Sequence, residues 1–228
     1  MVGRTKTESA ATRAALLDAA ERMFRDRGVA HTSLAEVAAA AGLTRGAVYW
    51  HFRDKADLFE ALCVRAELPM ETMLASAGGK RHKDPLGALS ELAVTALTRL
   101  AADAHTQAVF DIIFHKCEFA AEFASVAQRR QTTDSGCLAH VERLLEQAVA
   151  VGQLPADTDT RLAAQTMKAV MVGIMHEWVQ RPEAFDLAHA APMMIEVLIA
   201  GMRERPPRRA SKGSTSTSSR RKRLSVAS

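Results

Sequence analysis

A polar stretch between residues 44 and 55 carries side chains that could bind a nucleic acid. Arg45 can donate two hydrogen bonds to the edge of a guanine, and Thr44 can bond a phosphate or touch a thymine methyl group. Gly46 has no side chain and would let the backbone come close to DNA. The other polar side chains of the stretch can contact phosphates, which orient a protein without reading sequence: Tyr49, His51 and Lys55.

Three predicted helices would position these side chains. The first has an apolar stripe along one side and ends at Gly28. Thr32 or Ser33 can cap the second helix, with Glu36 completing a capping box. Thr44 caps the third. Two short helices joined by a tight turn fit the helix-turn-helix arrangement, whose second helix enters the major groove.

The rest of the chain up to Pro206 also shows helical periodicity, which predicts an all-α protein. A fourth helix begins after Asp54, and Pro69 is expected to end it. Residues 75–85 are rich in glycine and basic residues, which is typical of a linker. Five further helical segments are predicted, at about 86–102, 105–119, 122–151, 159–179 and 187–203.

These patterns divide the chain into three predicted parts. Residues 1–55 form a three-helix DNA-binding domain, residues 56–205 form a larger helical domain for effector binding and dimerisation, and residues 206–228 form a disordered basic tail. The first part has nine Lys or Arg against six Asp or Glu, and residues 201–228 have nine against one, so the middle is net negative. Only the two ends therefore favour a polyanion.

The composition argues against several classes of protein. No apolar run is long enough for a membrane helix or a signal peptide, so a cytoplasmic location is expected. Three widely spaced cysteines, Cys63, Cys117 and Cys137, suit neither a disulfide framework nor a zinc site, and His115 with Cys117 is too small a set for a metal. No nucleophile elbow or phosphate loop is present, so we predict no enzyme, no metal and no cofactor.

The string TSLAEVAAAAGLTRGAVYWHFRDKADLFEAL resembles the N-terminal domain of the TetR family of bacterial transcriptional regulators. The strings DPLGAL, IIFHKCEF, VGQLPADTDTRLAAQ and HEWVQRPEAFDL resemble the C-terminal domain of its AcrR-like subgroup, so the resemblance covers about residues 5–204. It implies a repressor of a multidrug efflux operon that leaves a double-stranded operator when a hydrophobic, drug-like effector binds.

The resemblance also implies roles for individual residues. Thr44, Arg45, Gly46, Tyr49 and His51 match the recognition helix, Lys55 matches a phosphate-binding lysine, and Thr32 and Ser33 match contacts with the DNA backbone. From periodicity alone, the apolar stripes of the central domain are core. Corresponding positions in efflux repressors line the effector site, which gives these pocket candidates: Phe110, Phe114, Cys137, Val141, Met167, Met171 and Met175.

The segments 161–179 and 187–202 are apolar on more than one face, which predicts a homodimer with a four-helix interface and a palindromic operator. The helix from Asp54 to Glu67 would couple the two domains. Three alternatives stay open: a regulator or activator of metabolic genes with another small molecule, a redox signal sensed at Cys137, and a basic tail that anchors the protein to DNA or RNA nonspecifically.

Overall fold

The computed structural model describes residues 6–116 and 124–209, and within these ranges the chain is built from helices. Between α6 and α7 one π-helical turn covers Ile112–Lys116, and a 3-10 turn covers Pro182–Ala184. The α-helices are α1 (Lys6–Arg27), α2 (Leu34–Ala40), α3 (Arg45–His51), α4 (Lys55–Gly78), α5 (Pro85–Ala102), α6 (Ala104–Asp111), α7 (Ala124–Ala150), α8 (Thr160–Gln180) and α9 (Leu187–Glu204).

The first three helices pack around a buried apolar cluster, which we call the head core. Phe24 of α1 lies edge-on to Phe59 of α4, with ring centroids 6.0 Å apart, and both side chains are fully buried. The cluster continues along α4 to Cys63, past the boundary predicted at residue 55, because the first turns of α4 close the cluster from below. The three short helices therefore depend on α4 to complete their core.

Side-chain caps fix where the short helices begin, and Gly42 fixes the turn between them. The Ser33 side chain accepts the Glu36 amide while the Glu36 side chain accepts the Ser33 amide, which is the predicted capping box. Gly42 has a φ of +70°, a conformation that costs a residue with a Cβ about 1–2 kcal/mol. The Thr44 side chain then accepts the Ala47 amide and opens α3.

The prediction that Pro69 ends the fourth helix is wrong, because α4 continues through it to Gly78. A proline inside a helix removes one hydrogen bond and crowds the preceding turn. Packing of α4 against α7 and the burial of apolar side chains beyond Pro69 outweigh that local cost.

The predicted linker at residues 75–85 is an ordered connection. The Gln147 side chain accepts the His82 amide at 3.0 Å and donates to the Lys80 carbonyl at 2.8 Å. Asp84 caps α5 and accepts a hydrogen bond from the Gln153 side chain at 2.6 Å. This bond, together with the Gly87 amide, holds the pKa of Asp84 below its usual range. Sequence composition missed these contacts because their partners lie more than 60 residues away.

The basic tail begins with four ordered residues, so the prediction of disorder from residue 206 is wrong for 206–209. The Pro207 carbonyl accepts the Asp159 amide at 2.7 Å, and the Arg209 amide donates to the Asp157 carbonyl at 2.9 Å. The Arg208 guanidinium also pairs with the Asp157 carboxylate at 2.5 Å. Residues 210–228 lie outside the described residues.

A second apolar cluster fills the space between α5, α7, α8 and α9, and we call it the lower core. Trp178 is buried at its edge and donates its indole N–H to the Phe185 carbonyl at 3.1 Å. No described helix is long and apolar enough to cross a membrane.

Candidate nucleic-acid interface and internal cavity

Helix α3 turns one face inward and presents the other to solvent. Ala47 and Val48 are buried in or beside the head core, while Arg45 and Gly46 are exposed. Within the described part of the chain, Arg45 has no hydrogen-bond or ion-pair partner, and a Cβ built on Gly46 meets no atom within 4 Å. The guanidinium is therefore available to a guanine edge, and the backbone beside it is open to close approach.

Two adjacent aromatic residues extend the exposed face of α3. Tyr49 is 49% exposed and Trp50 is 89% exposed. The sequence analysis included Tyr49 and missed Trp50. Since Ala47 and Val48 point inward on a two-turn helix, the two residues that follow must point outward, so the periodicity of α3 could have identified Trp50.

The remaining residues predicted to contact DNA differ in their surroundings. Ser33 is exposed at the start of α2, whereas Thr32 is only 2% exposed and donates its hydroxyl to the Gly28 carbonyl at 2.9 Å. The Thr32 side chain therefore stabilises the turn after α1 and is turned away from solvent. Lys55 is half-buried, and its ammonium donates to the Ala30 carbonyl at 3.2 Å. His51 is half-buried at the end of α3.

The Glu36 carboxylate beside this face is ionised and held by its neighbours. Hydrogen bonds from the Ser33 hydroxyl and amide keep the pKa of Glu36 below its usual range, and Arg27 lies 3.4 Å from the carboxylate. Its negative charge is thus partly balanced where a phosphate backbone would approach.

A cavity of about 340 Å³ lies between α4, α5, α6, α7 and α8. Its wall is apolar except for one carboxylate and one ammonium group, a composition typical of small-molecule sites of this size. The wall consists of Glu71, Met73, Leu74, Leu89, Leu92, Ala93, Ala96, Phe110, Phe114, Cys137, Leu138, Val141, Met167, Lys168, Met171 and Val172.

Six of the seven predicted pocket residues line this cavity: Phe110, Phe114, Cys137, Val141, Met167 and Met171. Met175 is absent from the wall and is buried in the lower core instead. It follows Met171 by four residues and so lies one helical turn further along α8, beyond the cavity. The α4 and α5 residues of the wall were missed, since nothing in their sequence distinguishes a cavity wall from ordinary core.

Two polar residues that the sequence placed near the cavity have different positions. Lys168 lines the wall, and it also takes part in a further interaction. Asp111 is outside the wall, where its carboxylate lies 2.9 Å from His115 Nδ1. Glu71, which the sequence analysis did not single out, supplies the carboxylate of the wall.

The segment formed by α6 and the π-helical turn contacts both the cavity and the head core. Phe110 and Phe114 line the cavity, with ring centroids 5.7 Å apart. Val109, Ile112 and Ile113, their neighbours in sequence, are buried in the head core. A change in the cavity wall is therefore one side chain away from the base of the DNA-binding helices.

Charged groups also join α1 to the lower helices. Arg65 of α4 donates to Asp18 at 2.6 Å and to Glu21 at 2.8 Å. His105 at the start of α6 lies 3.0 Å from the same Glu21 carboxylate, which is buried. This cluster ties the head to α4 and α6 beside the apolar contacts.

The cysteines and histidines form no metal site among residues 6–116 and 124–209. Cys63 is buried and Cys137 is half-buried in the cavity wall, and both are free thiols. Cys117 lies outside the described residues. His115 stacks near His176, with ring centroids 5.0 Å apart.

Two family models match the chain. The model "Bacterial regulatory proteins, tetR family" matches residues 16–62, and "MAATS-type transcriptional repressor, C-terminal region" matches residues 84–203. The first match covers the helix-turn-helix, and the second covers most of the cavity wall and the last two helices.

Individual proteins give the same result. The chain is 37% identical over 199 residues to the HTH-type transcriptional regulator AcrR of Shigella flexneri, covering 87% of this chain and 93% of AcrR. It superposes on NalD, the secondary repressor of the MexAB-OprM multidrug efflux pump in Pseudomonas aeruginosa, with a TM-score of 0.78, 32% identity and coverage of 86% and 98%.

A third relative was solved with a small molecule. It is the triclosan complex of SmeT, the repressor of the Stenotrophomonas maltophilia multidrug efflux pump SmeDEF, with a TM-score of 0.75, 30% identity and coverage of 84% and 91%. The matched models span the reading helices and the helices around the cavity, which confirms the resemblance found in the sequence. The chain belongs to the TetR family of bacterial transcriptional regulators.

Proposed function

We propose that this protein is a repressor of a multidrug efflux operon and that a hydrophobic ligand in its cavity releases it from a palindromic operator. The observation that carries the proposal is the α6 segment, whose residues line the cavity on one side and pack in the head core on the other. The efflux repressors NalD and SmeT support the choice of target operon, and SmeT with triclosan supports a small-molecule effector.

We assign operator recognition mainly to α3. Arg45 reads a base edge, Gly46 permits close approach, and Thr44 and the Trp50 ring contact the sugar-phosphate backbone or thymine methyl groups. The other proposed contacts are with phosphates: Ser33, Tyr49, His51 and Lys55. Residues 1–55 are then the DNA-binding domain, residues 56–205 bind the effector and dimerise, and the protein acts in the cytoplasm, where its operator is.

We assign dimerisation to α8 and α9, as the sequence predicted. The two helices expose apolar side chains that a monomer would leave in water, including Val170, Met193 and Val197, of which Val197 is 74% exposed. Ala169 and Gly173 are exposed beside Val170, so a second copy can approach closely. A twofold dimer would place the two copies of α3 in successive major grooves, roughly 34 Å apart.

Release requires only that the ligand bind one conformation more tightly than the other. In the DNA-bound state the spacing of the two heads fits the operator. A ligand that separates the cavity walls moves Phe110 or Phe114, and the same segment carries Ile112 and Ile113 against the head core. Because packed cores shift between discrete arrangements, a small displacement there becomes a rotation of the head.

The test is fluorescence anisotropy with the intergenic DNA upstream of the gene, at physiological salt, with and without a panel of hydrophobic antibiotics and dyes. We expect nanomolar-range binding that is lost as drug is added. Tight binding that no drug disturbs would exclude drug-induced release and leave a metabolic or redox signal. Absence of specific binding would contradict the DNA-reading assignment itself.

A further inference from the structure

We propose that the preferred ligands of the cavity are hydrophobic amines in their protonated form, and that Glu71 binds the ammonium group. This inference rests on the function proposed above, because it names the chemical class of effector for the same cavity.

The argument begins with the Glu71 carboxylate. Glu71 lies on α4 and lines the cavity. Its Oε1 atom is closed to solvent, and no group in the described part of the chain is placed to donate a hydrogen bond to it. Burying a carboxylate oxygen without a donor is costly, so a protein normally supplies one. Here the side of Glu71 that could receive a donor is the side occupied by a ligand.

The rest of the wall favours a cationic donor over a neutral one. Charge-assisted hydrogen bonds are about twice as strong as neutral ones, and the apolar wall strengthens them further by excluding water. Phe110 and Phe114 line the same cavity, and aromatic faces attract cations. Lys168, the other charged wall residue, already takes part in an interaction, so Glu71 is the group left for an incoming charge.

The volume limits the size of the ligand. A cavity of about 340 Å³ is at the lower end of the range for drug-sized molecules, which favours two or three fused rings with a short side chain. Desipramine, a tricyclic secondary amine, and its neutral N-acetyl derivative share one skeleton and differ in whether the nitrogen is charged. They form a matched pair of probes.

The experiment compares the affinities of the two probes for the full-length protein by isothermal titration calorimetry, for wild type and for Glu71→Gln. We expect Glu71→Gln to weaken desipramine at least about tenfold and to change N-acetyldesipramine less than about twofold, since a charge-assisted bond is worth more than 1.4 kcal/mol. Glu91→Gln removes the same charge from an exposed position on α5 and should change neither affinity. Operator affinity and Tm show that each variant is folded, and Glu71→Met replaces Glu71→Gln if that variant does not fold.

Equal weakening of both probes by Glu71→Gln, or failure of wild type to bind desipramine, would overturn the inference. Operator release separates it from the proposed function. If desipramine binds through Glu71 but leaves the operator bound, the proposed function fails and the ligand class stands. If neutral drugs release the operator while Glu71→Gln has no amine-specific effect, the ligand class fails and the proposed function stands.

Discussion

The head core and the cavity are built from the same residue types but are packed to different extents. In the head core, aromatic and aliphatic side chains meet without a gap, and the polar groups of Thr32, Ser33 and Thr44 have hydrogen-bond partners. Less than three turns of α4 separate that core from a space of about 340 Å³ in which the Glu71 carboxylate has an oxygen without a donor.

This difference corresponds to two tasks. A surface that reads DNA must keep its side chains in fixed positions, which requires dense packing and satisfied caps. A site that responds to varied ligands needs space and unused interactions, and it pays for them in stability. The segment of α6 and the π-helical turn is where the two kinds of packing meet.

The largest expected effect comes from the same truncation made in both regions. Phe24→Ala should lower the free energy of unfolding by about 3–5 kcal/mol, because Phe24 is fully buried against Phe59 and its loss leaves a new void. Phe110→Ala should cost less than about 2 kcal/mol, because Phe110 is half-buried beside a space that already exists. Urea denaturation followed by circular dichroism measures both. Equal losses would mean that the two regions are packed alike.

An intermediate effect separates stability from DNA binding within the head. Gly42→Ala should lower the free energy of unfolding by about 1–2 kcal/mol because φ is +70° there. Gly46→Ala lies in α3 with open space around its Cβ, so it should raise stability by about 0.5–1 kcal/mol.

Operator affinity should show the reverse pattern at position 46. The added methyl group of Gly46→Ala stands where the backbone approaches DNA, so the variant should bind the operator more weakly although it is more stable. Thermal melts and anisotropy on the same preparations check this. A Gly46→Ala variant with wild-type operator affinity would remove Gly46 from the reading face.

The smallest expected effect concerns the start of α6. Asp103 caps this helix, and hydrogen bonds from the Thr106 hydroxyl, at 2.5 Å, and from nearby amides hold the pKa of Asp103 below its usual range. Asp103→Ala should cost about 1 kcal/mol at pH 7. A lowered folded-state pKa stabilises the protein above the unfolded pKa, so the difference between wild type and variant should shrink as pH falls below about 4. Parallel urea titrations at pH 7 and pH 3.5 measure it, and a difference that grows in acid would contradict the assignment.

The sequence predicted most of what depends on local pattern. The Ser33–Glu36 capping box, the break at Gly42 and the start of α3 at Thr44 were confirmed because each is encoded within a few residues. The errors fall where distant contacts decide. Packing against α7 carries α4 through Pro69, and Gln147 orders the expected linker.

The candidate cavity shows the same division. The family resemblance directed attention to Phe110, Phe114 and Met171, which line the cavity. Glu71 could not be selected from sequence, because its importance comes from a buried oxygen that lacks a donor, and that depends on the arrangement of several helices. Periodicity identifies which side of a helix is buried, but it does not show where a core leaves a space.

The most direct test of the account is to fill the cavity and measure operator release. Ala93 and Ala96 are buried wall residues on α5, and the double variant Ala93→Leu/Ala96→Leu would occupy much of the space without touching the head. We predict that this variant binds the operator with wild-type affinity and is no longer released by drugs that release the wild type. Release at the same drug concentration as for wild type would show that the effector acts elsewhere and would contradict the account.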